Sequence, residues 1–280
     1  MSNSAQSVKD KLKNISREKN VDFNSVMRFY MYDRFVERLS KSKYKDNFIL
    51  KGGFYLSKLF GLDNRSTMDI DTAIRKTEFT EENLIVMINE IISIDVGDNV
   101  KFKIEKTELI REEDEYGGLR ITINFMLENI KDKFHIDLAT GDPIYPRPDN
   151  YKYESLIGDE IYKVWSYNLE TILAEKIETI LSKLETSSRM KDYYDIYLIY
   201  KFKFDTINKE KFRGSVEKTF KKRKFDADLM TNLSIVKESK VLRERWLSYS
   251  RKNSYARDVE FEETLECLEK LIDILILHVI

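Results

Sequence analysis

The chain has 280 residues, of which 42% are hydrophobic and 35% charged, and its formal net charge is −1. Only 9 Gly and 3 Pro are present, which excludes a disordered or loop-dominated chain. The single cysteine, Cys267, excludes an internal disulfide and a cysteine-built zinc site, and it is typical of a reducing compartment. The N-terminus lacks an apolar signal segment and the apolar run 271–280 is too short to span a bilayer, so we expect a cytoplasmic protein without membrane contact.

The first half of the chain mixes helical and strand-like patterns. Apolar residues at helical spacing predict helices over 22–39 and 54–60, with a short buried strand, 48–50, between them. Thr80 is placed to cap a further helix that runs to about Ile92. A two-residue apolar period predicts strands at 68–73, 100–104, 119–127 and 134–138.

The three prolines, Pro143, Pro146 and Pro148, mark a predicted boundary, and the pattern beyond them is helical. Asn168 is placed to cap a helix that continues to about Leu184, and a second helix is expected over 190–200. We therefore predict an α+β fold, in which a mixed sheet with flanking helices over 1–148 precedes an all-helical domain over 149–280.

Two carboxylates, Asp69 and Asp71, lie two residues apart on a predicted strand, so they point to the same face while Ile70 is buried. Paired carboxylates repel each other unless a cation neutralises them, and Mg²⁺ binds one or two carboxylates together with substrate phosphates. Upstream, Gly52 and Gly53 occupy a strand-to-helix turn, where backbone N–H groups can approach a phosphate. Strand, Gly-Gly, helix and an Asp-x-Asp strand is the order in which nucleotidyltransferases hold a triphosphate against metal ions.

Asp137 is a third candidate carboxylate. It faces away from the apolar residues of its predicted strand, and an adjacent antiparallel strand would bring it beside Asp69 and Asp71. Three carboxylates around two cations would clamp the attacking and leaving oxygens of an in-line displacement.

Lys176 falls inside the apolar stripe of its predicted helix, where lysine is seldom found without a partner. Asp192 shares the apolar side of the next helix with Arg189, and it needs a counter-charge that Lys176 or Arg189 can supply. Lys176 is thus predicted either to reach a triphosphate or to pair with a carboxylate.

The charge is unevenly distributed along the chain. Residues 211–257 contain 14 basic and 5 acidic residues, a balance of +9, whereas the remaining residues carry −10. Such asymmetry indicates contact with a nucleic acid or another polyanion, although a solvated helical surface gives the same pattern. The densest run, Lys221-Lys222-Arg223-Lys224, is the predicted RNA-binding segment.

In their order, five segments resemble the AbiEii/AbiGii toxin family of nucleotidyltransferases. They are Phe48-Ile49-Leu50-Lys51-Gly52-Gly53, Arg65-Ser66-Thr67-Met68-Asp69-Ile70-Asp71, Phe134-His135-Ile136-Asp137-Leu138-Ala139-Thr140-Gly141-Asp142, Leu173-Ala174-Glu175-Lys176 and Arg189-Met190-Lys191-Asp192-Tyr193-Tyr194-Asp195. The resemblance covers residues 48 to about 200. Fifteen residues separate Gly53 from Asp69, which is longer than the general nucleotidyltransferase pattern but suits this toxin branch.

The resemblance implies a nucleotidyltransferase-like core and a helical C-terminal lobe that completes the active-site groove. It implies that Asp69 and Asp71 bind Mg²⁺, with Asp137 beside them, and that Lys176 and Asp192 are needed for toxicity. The remaining positions expected to contact the NTP are Lys51, Gly52, Gly53, Arg65 and Thr67, together with Lys176. The implied function is nucleotide transfer from an NTP to the 3′ end of a tRNA, which blocks translation in a type IV toxin–antitoxin or phage-abortive system, with an antitoxin encoded nearby.

Two other readings stay open at the level of sequence. A small-molecule nucleotidyltransferase of the aminoglycoside-modifying type shares the Gly-Gly and Asp-x-Asp arrangement but needs no extended basic lobe. A non-catalytic nucleotide- or RNA-binding module on a decayed scaffold would not need the three carboxylates and Lys176 that this chain retains.

Overall fold

The structure, a computed structural model, describes residues 5–110 and 117–276. Its chain divides into two compact units. The first contains the described residues up to Gly141 together with Asp149–Ser166, and the second contains Asp142–Pro148 and the described residues from Tyr167 onward. The α+β class is confirmed, since a mixed sheet with helices is followed by helices alone.

The first unit is a seven-stranded sheet with strand order β3-β4-β5-β2-β1-β7-β6. Two neighbouring pairs, β2 with β5 and β1 with β7, are parallel, and the other pairs are antiparallel. The strands are β1 Phe48–Leu50, β2 Asp69–Ile74, β3 Val100–Ile110, β4 Gly118–Leu127, β5 Ile130–Ala139, β6 Asp149–Glu154 and β7 Ile161–Ser166. The helices are α1 Ala5–Glu18, α2 Phe23–Lys41, α3 Gly52–Phe60 and α4 Glu81–Ile92.

The core of this unit lies on one face of the sheet. Alternate residues of β4 and β5, such as Ile121 and Phe134, are buried there. Phe134 packs edge-on against Tyr32 of α2, with ring centroids 5.3 Å apart. Because a strand alternates its side chains, burial of these residues leaves the other set of β4 and β5 side chains on the opposite face.

Most predicted elements of this unit are present, and Thr80 caps α4 as expected, since its side chain accepts a hydrogen bond from the Asn83 backbone N–H. The predicted antiparallel pairing beside Asp69 is wrong, because β5 runs parallel to β2. The helical pattern expected directly after the prolines is also wrong, because β6 and β7 follow them and extend the sheet from β1. These strands were missed because their apolar positions are few and lysines alternate with them. The first compact unit therefore includes Asp149–Ser166, which lie beyond the predicted boundary at Pro148.

The second unit consists of six α-helices with short 3₁₀ turns among the described residues. The Asn168 side chain accepts a hydrogen bond from the Thr171 backbone N–H, which confirms the predicted cap of α5. Helix α10 buries Leu271 and Ile272 of the apolar C-terminal run, whose residues 277–280 lie outside the described part. The helices are α5 Leu169–Lys183, α6 Met190–Lys203, α7 Lys209–Lys222, α8 Leu229–Glu238, α9 Lys240–Lys252 and α10 Phe261–Ile276.

None of the helices in the described ranges combines the length and the apolar character that a membrane crossing requires.

Candidate active site

The turn from β1 into α3 lies directly against the Asp-x-Asp strand. The Gly53 backbone N–H donates a hydrogen bond to Oδ2 of Asp71 (3.1 Å), and the Lys51 N–H donates to the Asp71 carbonyl (3.0 Å). Gly52 has a φ of 59°, and a Cβ at this residue would lie 2.6 Å from Asp71 Oδ2. Glycine is therefore required here by both backbone conformation and space.

Asp69 and Asp71 are half-buried and share one face of β2, while Ile70 between them is fully buried. This confirms the predicted arrangement of the two carboxylates on a single face. Thr67 and Arg65 lie beside the same turn, since a Cβ at Gly53 would lie 3.1 Å from Thr67 Oγ1 and 3.1 Å from an Arg65 guanidinium nitrogen. The turn, the two carboxylates and these two side chains thus form one cluster within the first unit.

Asp137 lies directly opposite Asp71 in the parallel register of β5 and β2. Its carboxylate is held by Arg120 of β4, whose Nε and one terminal nitrogen lie 2.7 Å and 2.8 Å from the two carboxylate oxygens. The same guanidinium lies 3.6 Å from Asp69. Arg120 is a site residue that sequence reasoning missed. The available signal was its place on the polar side of an otherwise apolar strand, but only the strand register shows what it faces.

Burial and the neighbouring charges change the ionisation of Asp69. Burial, followed by repulsion from Asp137, raises the pKa of Asp69, and the attraction of Arg120 offsets only part of this effect. The hydrogen bonds to Asp137 keep the pKa of Arg120 well above its usual value. Ionising Asp69 in this setting therefore costs more free energy than ionising a free carboxyl group, and a further cation would offset that cost.

Within residues 5–110 and 117–276, no three His, Cys, Asp or Glu side chains are arranged as a metal centre. That Asp137 joins Asp69 and Asp71 around metal ions stays a prediction, and in this structure the Arg120 guanidinium donates hydrogen bonds to the Asp137 carboxylate. Asp69 and Asp71 alone fit a hard divalent cation, since Mg²⁺ is commonly held by one or two carboxylates plus substrate phosphates and water.

In the second unit, Lys176 is buried between α5 and α6. Its ammonium nitrogen lies 2.7 Å from Asp192 and 2.6 Å from Asp195, and Arg189 Nε lies 2.6 Å from the other oxygen of Asp192. The predicted pairing of Lys176 with Asp192 is confirmed, and Asp195 is a second partner that was not among the predicted site residues. Its signal was the i,i+3 spacing from Asp192, which places both carboxylates on one helical face.

The pKa values of Lys176 and Asp192 are set mainly by their oppositely charged neighbours. Burial alone would lower the pKa of Lys176, but Asp192 and Asp195 outweigh it and raise that pKa above its usual value. Burial alone would raise the pKa of Asp192, yet Lys176 and Arg189 hold it well below its usual value. Lys176 and Asp192 therefore both stay charged at neutral pH.

The predicted RNA-binding run is not uniform. The Arg223 guanidinium lies 2.7 Å from Glu178, 3.4 Å from Asp142 and 3.7 Å from Glu175. Arg223 therefore joins α5 to the segment Asp142–Pro148 within the second unit, and its charge is directed at these carboxylates. Lys221 and Lys224 are exposed and Lys222 is half-buried.

Comparison with known proteins places this geometry in a family context. The sequence model of the family described as "Nucleotidyl transferase AbiEii toxin, Type IV TA system" matches residues 34–267, more than half of the chain. The fold is similar to that of JHP933 from Helicobacter pylori, with a TM-score of 0.51 at 14% identity over 88% of each chain. A second Helicobacter pylori structure, provisionally described as a nucleotidyltransferase, has a TM-score of 0.45 at 16% identity over 88% of this chain and 91% of its own. No curated protein sequence matches the chain.

Proposed function

The chain belongs to the AbiEii family of nucleotidyltransferase toxins, and from this premise we propose that it transfers a nucleotidyl group from an NTP to an RNA acceptor. The specific acceptor we infer is the 3′ end of a tRNA, whose modification would block translation in the cytoplasm. Membership of a type IV toxin–antitoxin family also implies a cognate antitoxin.

The observation that carries the proposal is the contact between Gly53 and Asp71. It places backbone N–H donors of a strand-to-helix turn beside two carboxylates on one strand face. The N-terminus of a helix favours phosphate, and the adjacent carboxylates suit the cation that accompanies a triphosphate.

We propose that Asp69 and Asp71 hold Mg²⁺ with the NTP phosphates, where the ion would stabilise the charge that develops on the departing pyrophosphate. Gly52 and Gly53 let the turn approach Asp71, Arg65 and Thr67 closely, and we propose that Arg65 and Thr67 contact the phosphates beside it. Asp137 is held by Arg120 on the neighbouring strand, and we propose that Asp137 orients the acceptor hydroxyl.

Lys176 and Asp192 require a different role from direct phosphate contact. Their charges are satisfied by each other, by Asp195 and by Arg189, inside the second unit. We therefore propose that they are positioning residues, which hold α5 and α6 in one arrangement and keep the half-exposed Arg189 side chain oriented.

The direct test is incubation of the purified protein with labelled NTP, Mg²⁺ and total RNA, followed by gel separation of the RNA. We expect labelled RNA with the wild type and none with Asp69→Asn or Asp71→Asn. Asp149→Asn is a matched control, because Asp149 is an exposed strand aspartate of the same sheet. Label on a small hydroxylated acceptor but never on RNA would favour a small-molecule transferase, and NTP binding without turnover would favour a non-catalytic module.

A further inference from the structure

The sheet face that carries the carboxylates continues into a patch of lysines. Across β3, β4 and β5, one row of opposed residues is Glu108, Arg120 and Asp137, with Asp71 opposite Asp137 on β2. The next row contains Lys106, Thr122 and His135, with Asp69 opposite His135. Two more rows follow on the same face: Lys103, Asn124 and Lys133, and then Lys101, Met126 and Lys131.

A break in the β3 register makes this face continuous. Pairing shifts between Ile104 and Lys106, so Glu105 is the extra residue of a bulge. Without that shift, every β3 residue beyond it would change faces, and Lys106 would point away from Lys101 and Lys103. The bulge therefore keeps Lys106 on the same face as Lys101 and Lys103, which is the side of the sheet that bears Asp137.

The four outer lysines, which we call the lysine patch, are Lys101, Lys103, Lys131 and Lys133, and all are exposed. Within the part of the chain that the structure describes, Lys101, Lys103 and Lys131 form no ion pair, whereas Lys133 lies 3.3 Å from Glu105. Exposed lysines without carboxylate partners on adjacent strands repel one another, so they favour a polyanionic ligand.

The patch is also concave. A groove of about 690 Å³ is lined by these lysines together with Asn124 and Met126 of the same face, and it is also bordered by Phe102, Phe125 and Asp132, whose side chains alternate to the opposite face. Its volume lies within the range of about 300–1,000 Å³ that ligand sites occupy in proteins. Exposed lysine ammonium groups on adjacent strands match a nucleic acid strand, which presents a row of phosphates.

Distance along β5 relates the patch to the carboxylates. Lys133 and Lys131 precede Asp137 by four and six residues, which at about 3.3 Å per residue is roughly 13 Å and 20 Å. A stacked strand rises about 3.4 Å per nucleotide, so this span corresponds to about four to six nucleotides.

We propose that the lysine patch binds the RNA acceptor strand over the four to six nucleotides that precede its reacting 3′ end, with the phosphates on the lysines. This rests on the proposed function, because it concerns the RNA acceptor of the same site. His135, whose Nδ1 lies 3.1 Å from Oγ1 of the buried Thr122, lies between the patch and Asp69 and would line the path of the final nucleotide.

The test is a triple charge reversal, Lys101→Glu with Lys103→Glu and Lys131→Glu, measured against the double reversal Lys152→Glu with Lys163→Glu. Lys152 and Lys163 are exposed, directly opposed lysines on β6 and β7 of the same sheet, so they match the patch in chemistry and setting. A milder triple variant, with glutamine at the same three positions, keeps the test available if the reversal fails to fold.

We expect the triple variant to bind a short 3′-ended RNA at least tenfold more weakly. The slope of log affinity against log salt should become shallower by about two, because three phosphate contacts on a single strand contribute roughly 0.7 each. The KM for RNA should rise while the KM for NTP stays at the wild-type value, and the control variant should match the wild type. In the wild type, affinity should increase with oligonucleotide length up to about six nucleotides and then level off.

The outcomes separate the two proposals. If the wild type labels RNA and the triple variant does so with unchanged KM and salt slope, the lysine patch is overturned while the RNA-directed activity stands. If the wild type binds NTP but neither binds nor labels RNA, the proposed function itself fails. A loss equal in the triple variant and in the Lys152 and Lys163 control would indicate general electrostatics and would also overturn the patch.

Discussion

The ammonium nitrogen of Lys176 lies 2.7 Å from Oδ1 of Asp192, in a helical unit where these side chains are almost completely buried. The two residues that the family resemblance assigns to toxicity are therefore partners of each other. Removing one partner of a buried pair leaves an uncompensated charge, which is strongly destabilising. Loss of toxicity in either variant does not by itself identify a residue that touches substrate.

We expect Lys176→Met to destabilise the protein by about 3–5 kcal/mol, since Asp192 and Asp195 would remain buried without their shared cation. Lys183→Met is the control, because Lys183 is exposed on the same helix. Chemical denaturation at pH 7 measures both. Asp192→Asn added to Lys176→Met should recover part of the loss, and a Lys176→Met protein as stable as the control would contradict the prediction.

The same pair predicts how that stability difference depends on pH. The pKa of Asp192 is lowered in the folded state, so its contribution is present above the ordinary value of 3.8 and is lost as pH falls. The pKa of Lys176 is raised above 10.5, so its contribution is present at neutral pH and is lost only in strong base. We expect the difference in free energy of unfolding between wild type and Lys176→Met to have its full value at pH 7 and to become smaller in acid. A difference in unfolding free energy that becomes larger in acid would contradict the prediction.

Gly52→Ala should disturb Asp71 as well as the backbone. The φ of 59° is strained for alanine by about 1–2 kcal/mol, and the new Cβ would lie 2.6 Å from Asp71 Oδ2. Gly97→Ala is a matched control, because Gly97 has a φ of 72° but nothing within 4 Å of a Cβ. Both variants should lose stability to the strained backbone, Gly52→Ala more because of the clash, and only Gly52→Ala should lose nucleotidyl transfer and divalent-cation affinity. Equal activity in the two variants would show that the turn does not position Asp71.

Local patterns predicted much of this site. The i,i+2 spacing predicted that Asp69 and Asp71 share one face of a strand. The position of Lys176 among the apolar residues of α5 indicated that it needs a buried partner. Both follow from the geometry of a single element, which the sequence encodes directly.

Non-local pairing could not be predicted in the same way. Whether β5 runs parallel or antiparallel to β2 depends on the path of the intervening chain, so Asp137 was expected on an antiparallel strand. Arg120 was missed because its partner is set by strand register. Arg223 was taken for an RNA contact because charge counting does not show that three carboxylates surround it.

Arg120→Gln should increase the affinity of the site for Mn²⁺ or Mg²⁺. The guanidinium neutralises Asp137 and lies 3.6 Å from Asp69, so it competes with a metal ion for the same negative charge. We expect affinity to rise by about tenfold, equivalent to roughly 1.4 kcal/mol, while transfer falls because Asp137 loses its orientation. Arg75→Gln is the control, since Arg75 stacks on Trp165 elsewhere on the sheet. Unchanged metal affinity in calorimetry would show that Arg120 does not compete.

Asp69→Asn should make the metal-free protein more stable while it abolishes activity. Burial and Asp137 raise the pKa of Asp69 above 3.8, so the ionised carboxylate costs folding free energy at every pH above its folded pKa. The neutral amide removes this cost, and we expect a gain on the order of 1 kcal/mol at pH 7 that disappears as pH falls towards 3.8.

With divalent cations and NTP present, the wild type should become more stable than Asp69→Asn. Ligand binding to the folded state stabilises it, so Mg²⁺ with NTP should raise the melting temperature of the wild type and of Asp149→Asn but not of Asp69→Asn. Thermal denaturation with and without Mg²⁺ and NTP, at pH 7 and pH 4.5, measures both effects. An Asp69→Asn protein that is less stable than the wild type at pH 7 without metal would show that Arg120 already compensates the carboxylate fully, and the site would then have no electrostatic need for a cation.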